Sequence, residues 1–215
     1  MDQAVTARQP RMWPDGPTRV PFWAYQDAGI LDLEQTRLFE GPVWNFLCLD
    51  IEIPEPGDWR ATYVGGMPVV VVRTEDGTIA AFENRCVHRG ALICLDESGQ
   101  GAKDFTRVYH SWRYDLCGTL RSVAFMRGVN GKGGMRADFK PGEHGPRKLR
   151  VATLCGLVFG TLSPATPDIE SYIGPEVSAR IRRVAGRKME TIGRFTEVLP
   201  NTPVLSACHR DAADP

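Results

Sequence analysis

Two short stretches, Cys86-Val87-His88-Arg89-Gly90 and Val108-Tyr109-His110-Ser111-Trp112, constrain this chain more than any other feature. The first sets a thiolate and an imidazole two positions apart on one tight loop. Gly90 lets that backbone turn without the clash a Cβ would bring. The second brings His110 after a gap long enough for a strand and a return. Trp112 and Tyr114 alternate there, so they share one face of an extended segment. Thiolates and imidazoles are both ligand types for iron and zinc. A lone cysteine or histidine in a β turn is ordinarily a satisfied structural residue, so the metal reading needs the surrounding pattern.

That pattern is mainly β. Residues 1–42 read as an arm rich in Pro, Arg and Gly, then a helix capped by Asp27 through Ile30, Leu31, Leu38 and Phe39, stopped by Gly41-Pro42. From Trp44 the texture becomes short strands separated by turn residues. Val69–Val72 and Ile79–Phe82 flank Thr74-Glu75-Asp76-Gly77, a hairpin signal. A second strand pair flanks Asp115-Leu116-Cys117-Gly118, and Arg150–Thr153 with Gly156–Gly160 close the β unit. Pro164 to Pro167 reads as a linker. Helices are expected over Asp168–Tyr172 and Glu176–Val184, the second with a basic, solvated face (Arg180, Arg182, Arg183), and a strand over Met189–Leu199. The domains therefore read as 1–42, 43–163, 164–200 and a disordered tail, 201–215.

Twenty-six basic and twenty-six acidic side chains cancel, which gives no electrostatic reason to expect nucleic acid or an anionic membrane as partner. The apolar runs around Val69–Val72 and Leu154–Phe159 are too short to cross a bilayer, and the first residues lack an apolar signal segment; a cytoplasmic address is expected. Six unevenly spaced cysteines do not suggest a disulfide scaffold, and Cys48 and Cys155 read as small core residues. His144, in a Pro/Gly/Lys-rich loop, reads as exposed.

The run Phe82–Ala91 together with Val108–Gly118 resembles the large subunit of aromatic-ring-hydroxylating oxygenases, in its Rieske [2Fe-2S] domain. Pro21-Phe22-Trp23, Gly41-Pro42-Val43-Trp44 and the stretch from Pro56 through Val72 are similar to that family's N-terminal region. The resemblance covers residues 20 to 200, and within the family looks nearest to branches acting on benzoate-, anthranilate- or salicylate-like acids. It implies a Rieske-type β-sandwich with an N-terminal arm and helix and a short α/β remnant after it. In a Rieske centre two cysteines hold one iron and two histidines the other. Cys86 would bind one iron, and His88 and His110 the other. A ferredoxin or reductase would donate electrons, and oxygenase homologue subunits would be partners.

Two departures from the family pattern stand out. The fourth ligand position carries Arg107, a guanidinium that stays protonated and offers no lone pair. A cluster that assembles poorly is expected unless Cys94 or Cys117 replaces the missing thiolate. A four-ligand zinc site from Cys86, His88, His110 and one more cysteine is a more distant alternative. Secondly, the resemblance ends at Leu199-Pro200-Asn201, which reads as a shifted frame or shortened gene. The residues after Pro200 hold one histidine, His209, with Asp211 nearby. No mononuclear iron site of two histidines and a carboxylate is expected from them. The alternative function is a clusterless β-domain without redox activity.

Overall fold

The computed structural model describes residues 20–107, 110–130 and 132–186. The expected strand over Met189–Leu199 and the tail 201–215, with His209 and Asp211, lie outside the described residues. Residues 20–34 belong to one compact unit and residues 35–186 to another.

In the first unit a 3-10 turn, Phe22–Tyr25, precedes helix α1, Ala28–Glu34. Asp27 caps it, its carboxylate accepting from the amides of Gly29 at 2.8 Å and Ile30 at 3.3 Å. The predicted helix extends further than α1; in the second unit Gln35–Phe39 form a π-helical turn, closed by the Glu40 amide on the Gln35 carbonyl. Gly41 stops it for a steric reason, since a Cβ there would lie 2.2 Å from the Arg37 carbonyl oxygen.

The second unit is built on a seven-stranded sheet and a three-stranded one. The larger contains β1 (Asn45–Leu49), β2 (Trp59–Val64), β3 (Met67–Arg73), β4 (Ile79–Glu83), β5 (Ser98–Gly99), β9 (Lys148–Leu154) and β10 (Leu157–Thr161), ordered β1-β10-β9-β4-β3-β2-β5. The smaller joins β6 (Phe105–Thr106), β7 (Arg113–Tyr114) and β8 (Leu120–Ser122). Both expected strand pairs form: β3 with β4 in the register Val70↔Phe82, and β7 with β8 around the 115–118 turn.

The uninterrupted valine run in β3 has a packing cause. All four valines are fully buried, but alternate residues enter different cores. Val70 and Val72 pack with Phe82, Phe105, Trp112, Tyr114 and Leu120; Val69 and Val71 pack with Leu47, Cys48, Met67 and Val158. Cys48 is thus a core residue, as expected. Cys155 is not. It lies half-buried in the two-residue β9–β10 turn with φ +52°, followed by Gly156 at +78°. Two successive positive φ values are what so tight a hairpin asks for, and that demand outweighs the apolar surroundings.

After β10, Asp168 caps α2 (Ile169–Ile173) through the Ser171 amide at 3.0 Å, and Pro175 opens α3 (Pro175–Ala185). The basic face of α3 is solvated and locally paired, Arg180 with Glu176 and Arg182 with Glu170. Among the described residues no helix is long and apolar enough to cross a membrane.

Candidate functional site

Strand β4 ends at Glu83 and gives way to a loop tied down by one side chain. Asn84 is buried, and its carbonyl accepts from the amides of Ile93 at 3.1 Å and Cys94 at 2.9 Å. Its amide donates to the Cys94 carbonyl at 2.9 Å. The far end of the loop is thereby fixed to its origin. Inside it the Cys86 amide donates to the Ala91 carbonyl and the Gly90 amide to the Cys86 carbonyl, both at 2.8 Å. Gly90 takes φ +70°, with open space where a Cβ would stand, so the glycine serves the backbone conformation.

The second loop leaves β6 and returns as β7. The Arg107 amide donates to the Trp112 carbonyl at 3.0 Å, and the Ser111 amide to the Arg107 carbonyl at 3.1 Å. Ser111 adopts φ +49° to make the turn.

These loops bring the expected residues together across a long stretch of chain. The His88 and His110 rings meet edge to face with centroids 4.6 Å apart. Trp112, buried in the first core, stacks on His88 at 5.0 Å, its plane within 11° of the imidazole. Cys86 is buried at the base, its sulfur 3.1 Å from the Tyr114 hydroxyl. Burial, followed by the Cys86 thiol, raises the Tyr114 phenol well above its ordinary value. Loss of solvent, then the neighbouring Arg89 and Arg107 guanidiniums, lower the His88 imidazole's pKa and favour its neutral form. Trp112 and Tyr114 share a face, as their alternation predicts. The partners each of them takes, and the role of Asn84, are not evident from the sequence; an Asn directly after a strand and before a turn is the available signal for the latter.

The fourth position is different in kind. Arg107 is buried, with 7% of its surface exposed, and its Nη1 lies 3.3 Å from His110 Nδ1. Neither proposed substitute takes its place in ready form. Cys94 packs in the core, where burial and Asp96 push its thiol up to about 12, and Cys117 is exposed on the β7–β8 turn with its thiol also raised by desolvation. Among the described residues no three His, Cys, Asp or Glu side chains converge as ligands of one metal ion, so the tetrahedral zinc arrangement is not assembled. A binuclear cluster asks instead for two pairs. The histidine pair is present; the cysteine pair is one cysteine and one guanidinium. A donor-only cation cannot ligate iron, and the set as it stands does not fit a complete Rieske centre. His144 is exposed, as expected, and stacks on Phe139 at 4.6 Å.

Residues 43–131 match the family model of the Rieske [2Fe-2S] domain. The chain is 56% identical over 184 residues to the terephthalate 1,2-dioxygenase terminal oxygenase component subunit alpha 2 of Comamonas sp.. It is 45% identical over 179 residues to the anthranilate 1,2-dioxygenase large subunit of Burkholderia cepacia. The chain carries the Rieske domain of a ring-hydroxylating dioxygenase alpha subunit. The two matches cover 86% and 83% of the chain but only 44% and 42% of the relatives, so it spans less than half the length of either. Among solved structures, naphthalene 1,2-dioxygenase from Rhodococcus sp. superposes with a TM-score of 0.66 at 31% identity, covering 77% of this chain and 36% of that one. The Rieske match includes both loops.

Proposed function

We propose that this chain serves as the electron-transfer Rieske part of an aromatic-ring-hydroxylating oxygenase large subunit, in a form whose cluster binding is impaired by Arg107. The observation that carries the reading is the meeting of His88 and His110 across two loops, with Cys86 buried on the first of them, the loops being braced by Asn84 and by the Arg107–Trp112 backbone bond. The relatives are named for terephthalate and anthranilate, so the substrate class proposed for the whole assembly is an aromatic carboxylate. A ferredoxin or reductase in the cytoplasm is the proposed electron donor, with oxygenase subunits as assembly partners.

The ligand set divides the function from its impairment. With one thiolate replaced by a cation, the Cys86 side of a cluster would have a single protein ligand and a charge difference of two units beside it. The test is iron and acid-labile sulfide per chain after anaerobic reconstitution, with an electron paramagnetic resonance spectrum of the reduced sample. The chain itself should take up little of either, and Arg107→Cys should gain two of each with a Rieske-type signal. Near-stoichiometric loading without the substitution would overturn the impairment. Failure of Arg107→Cys to load would overturn the electron-transfer reading and favour a clusterless β-domain.

A further inference from the structure

The Arg107–His110 contact subtracts more than a thiolate. A guanidinium is a donor at every nitrogen and is never deprotonated in a protein, so in the contact between Arg107 Nη1 and His110 Nδ1 the imidazole must accept. Nδ1 then spends its lone pair on that hydrogen bond, and the ring proton of the neutral imidazole resides on Nε2. Neither nitrogen offers a lone pair to a metal while the bond lasts. The geometry is held from both sides. Arg107 and His110 lie on one loop closed by the Arg107 amide on Trp112 and the Ser111 amide on Arg107. The guanidinium is buried, where a charge-assisted hydrogen bond is strengthened by the low dielectric.

We infer that Arg107 masks His110 as a metal ligand, so that one substitution withdraws two of the four positions of the site and leaves Cys86 and His88. The inference rests on the reading of these two loops as the ligand loops. Its consequence concerns the histidine pair: with rings 4.6 Å apart, His88 and His110 would chelate a divalent ion of the kind that favours imidazole, such as zinc, once the guanidinium is gone.

The deciding measurement is made first on the metal-free chain as it stands, by long-range proton–nitrogen correlation on histidine-labelled protein. His110 is expected as the Nε2–H tautomer, with Nδ1 shifted as a hydrogen-bond acceptor. An Nδ1–H tautomer overturns the inference without any variant. Titration with zinc chloride then compares the chain with Arg107→Met, which keeps much of the side-chain length and removes every donor. Both histidines should shift in the variant at zinc concentrations about tenfold lower or more. Equal responses overturn masking. If Arg107→Met does not fold, the tautomer decides alone. Failure of Arg107→Cys to take up a cluster would count against the electron-transfer role and leave the tautomer result standing, so the two failures are distinguishable.

Discussion

Asn84 ties the far end of the first loop to its origin. Its side chain answers two amides and one carbonyl at the far end of the loop, all of them buried. Asn84→Leu would keep the volume roughly constant and leave those three backbone groups without partners. Each unsatisfied buried group costs on the order of 1–3 kcal/mol before relaxation. Urea unfolding should show a loss of about 3 kcal/mol, with the His88 stack on Trp112 loosened and tryptophan fluorescence changed in the folded state. A loss within the range of a surface substitution would show that the loop is held by other means. Tyr114 acts differently, because among the described residues its hydroxyl meets only the Cys86 sulfur and the Val87 backbone, and its replacement by Phe should cost about 1–2 kcal/mol by the same measurement.

Turns carry the next level of specification. Gly118 and Gly77 both sit at positive φ, +72° and +82°, but their surroundings differ. A Cβ on Gly118 would stand 2.6 Å from the Phe82 ring in the first core, whereas nothing lies within 4 Å of one on Gly77. Gly77→Ala should therefore cost about 1 kcal/mol from backbone conformation alone. Gly118→Ala should cost about 3 kcal/mol, because Phe82 must move as well. Thermal or urea unfolding of the pair separates strain from crowding, and equal losses would refute the crowding argument. The β3–β4 turn also carries a pH dependence. Hydrogen bonds from Thr74 and Thr78 lower the Asp76 carboxyl to about 2 from an ordinary 3.8. A folded-state value below the unfolded one stabilises fully above the unfolded pKa and is lost as pH falls through the folded one. The stability of the chain should thus decline partly through Asp76 between pH ~4 and ~2, and Asp76→Asn should remove that part of the decline. Unchanged acid profiles in the two proteins would place the sensitivity elsewhere.

At the scale of the molecule, the hairpins, the first helix and the Cys86 and His110 loops are legible in the sequence because each has a local signal: turn residues, Asp27 as a cap, Cys-x-His. The parts that are not legible depend on contacts between distant segments. Nothing local to β3 says that Val69 and Val71 enter one core while Val70 and Val72 enter another, and nothing local to Arg107 says that its guanidinium turns to His110. Cys155 departs from its expected place because an apolar neighbourhood predicts burial, while hairpin geometry puts it in a turn. Arg107 has a consequence for metal dependence. A guanidinium cannot ligate iron, so under the proposed impairment residues 35–186 fold without stabilisation from a cluster. A chelator should leave the urea midpoint of the chain unchanged. Anything that binds the folded state and not the unfolded one raises stability by RT ln(1 + c/Kd), where c is its free concentration. A reconstituted Arg107→Cys protein should therefore unfold at higher urea than its own metal-free form, and chelation with loss of the cluster should return it to that lower midpoint. A chain that unfolds on chelation without the substitution would show that a metal, and not the two cores, holds these loops in place.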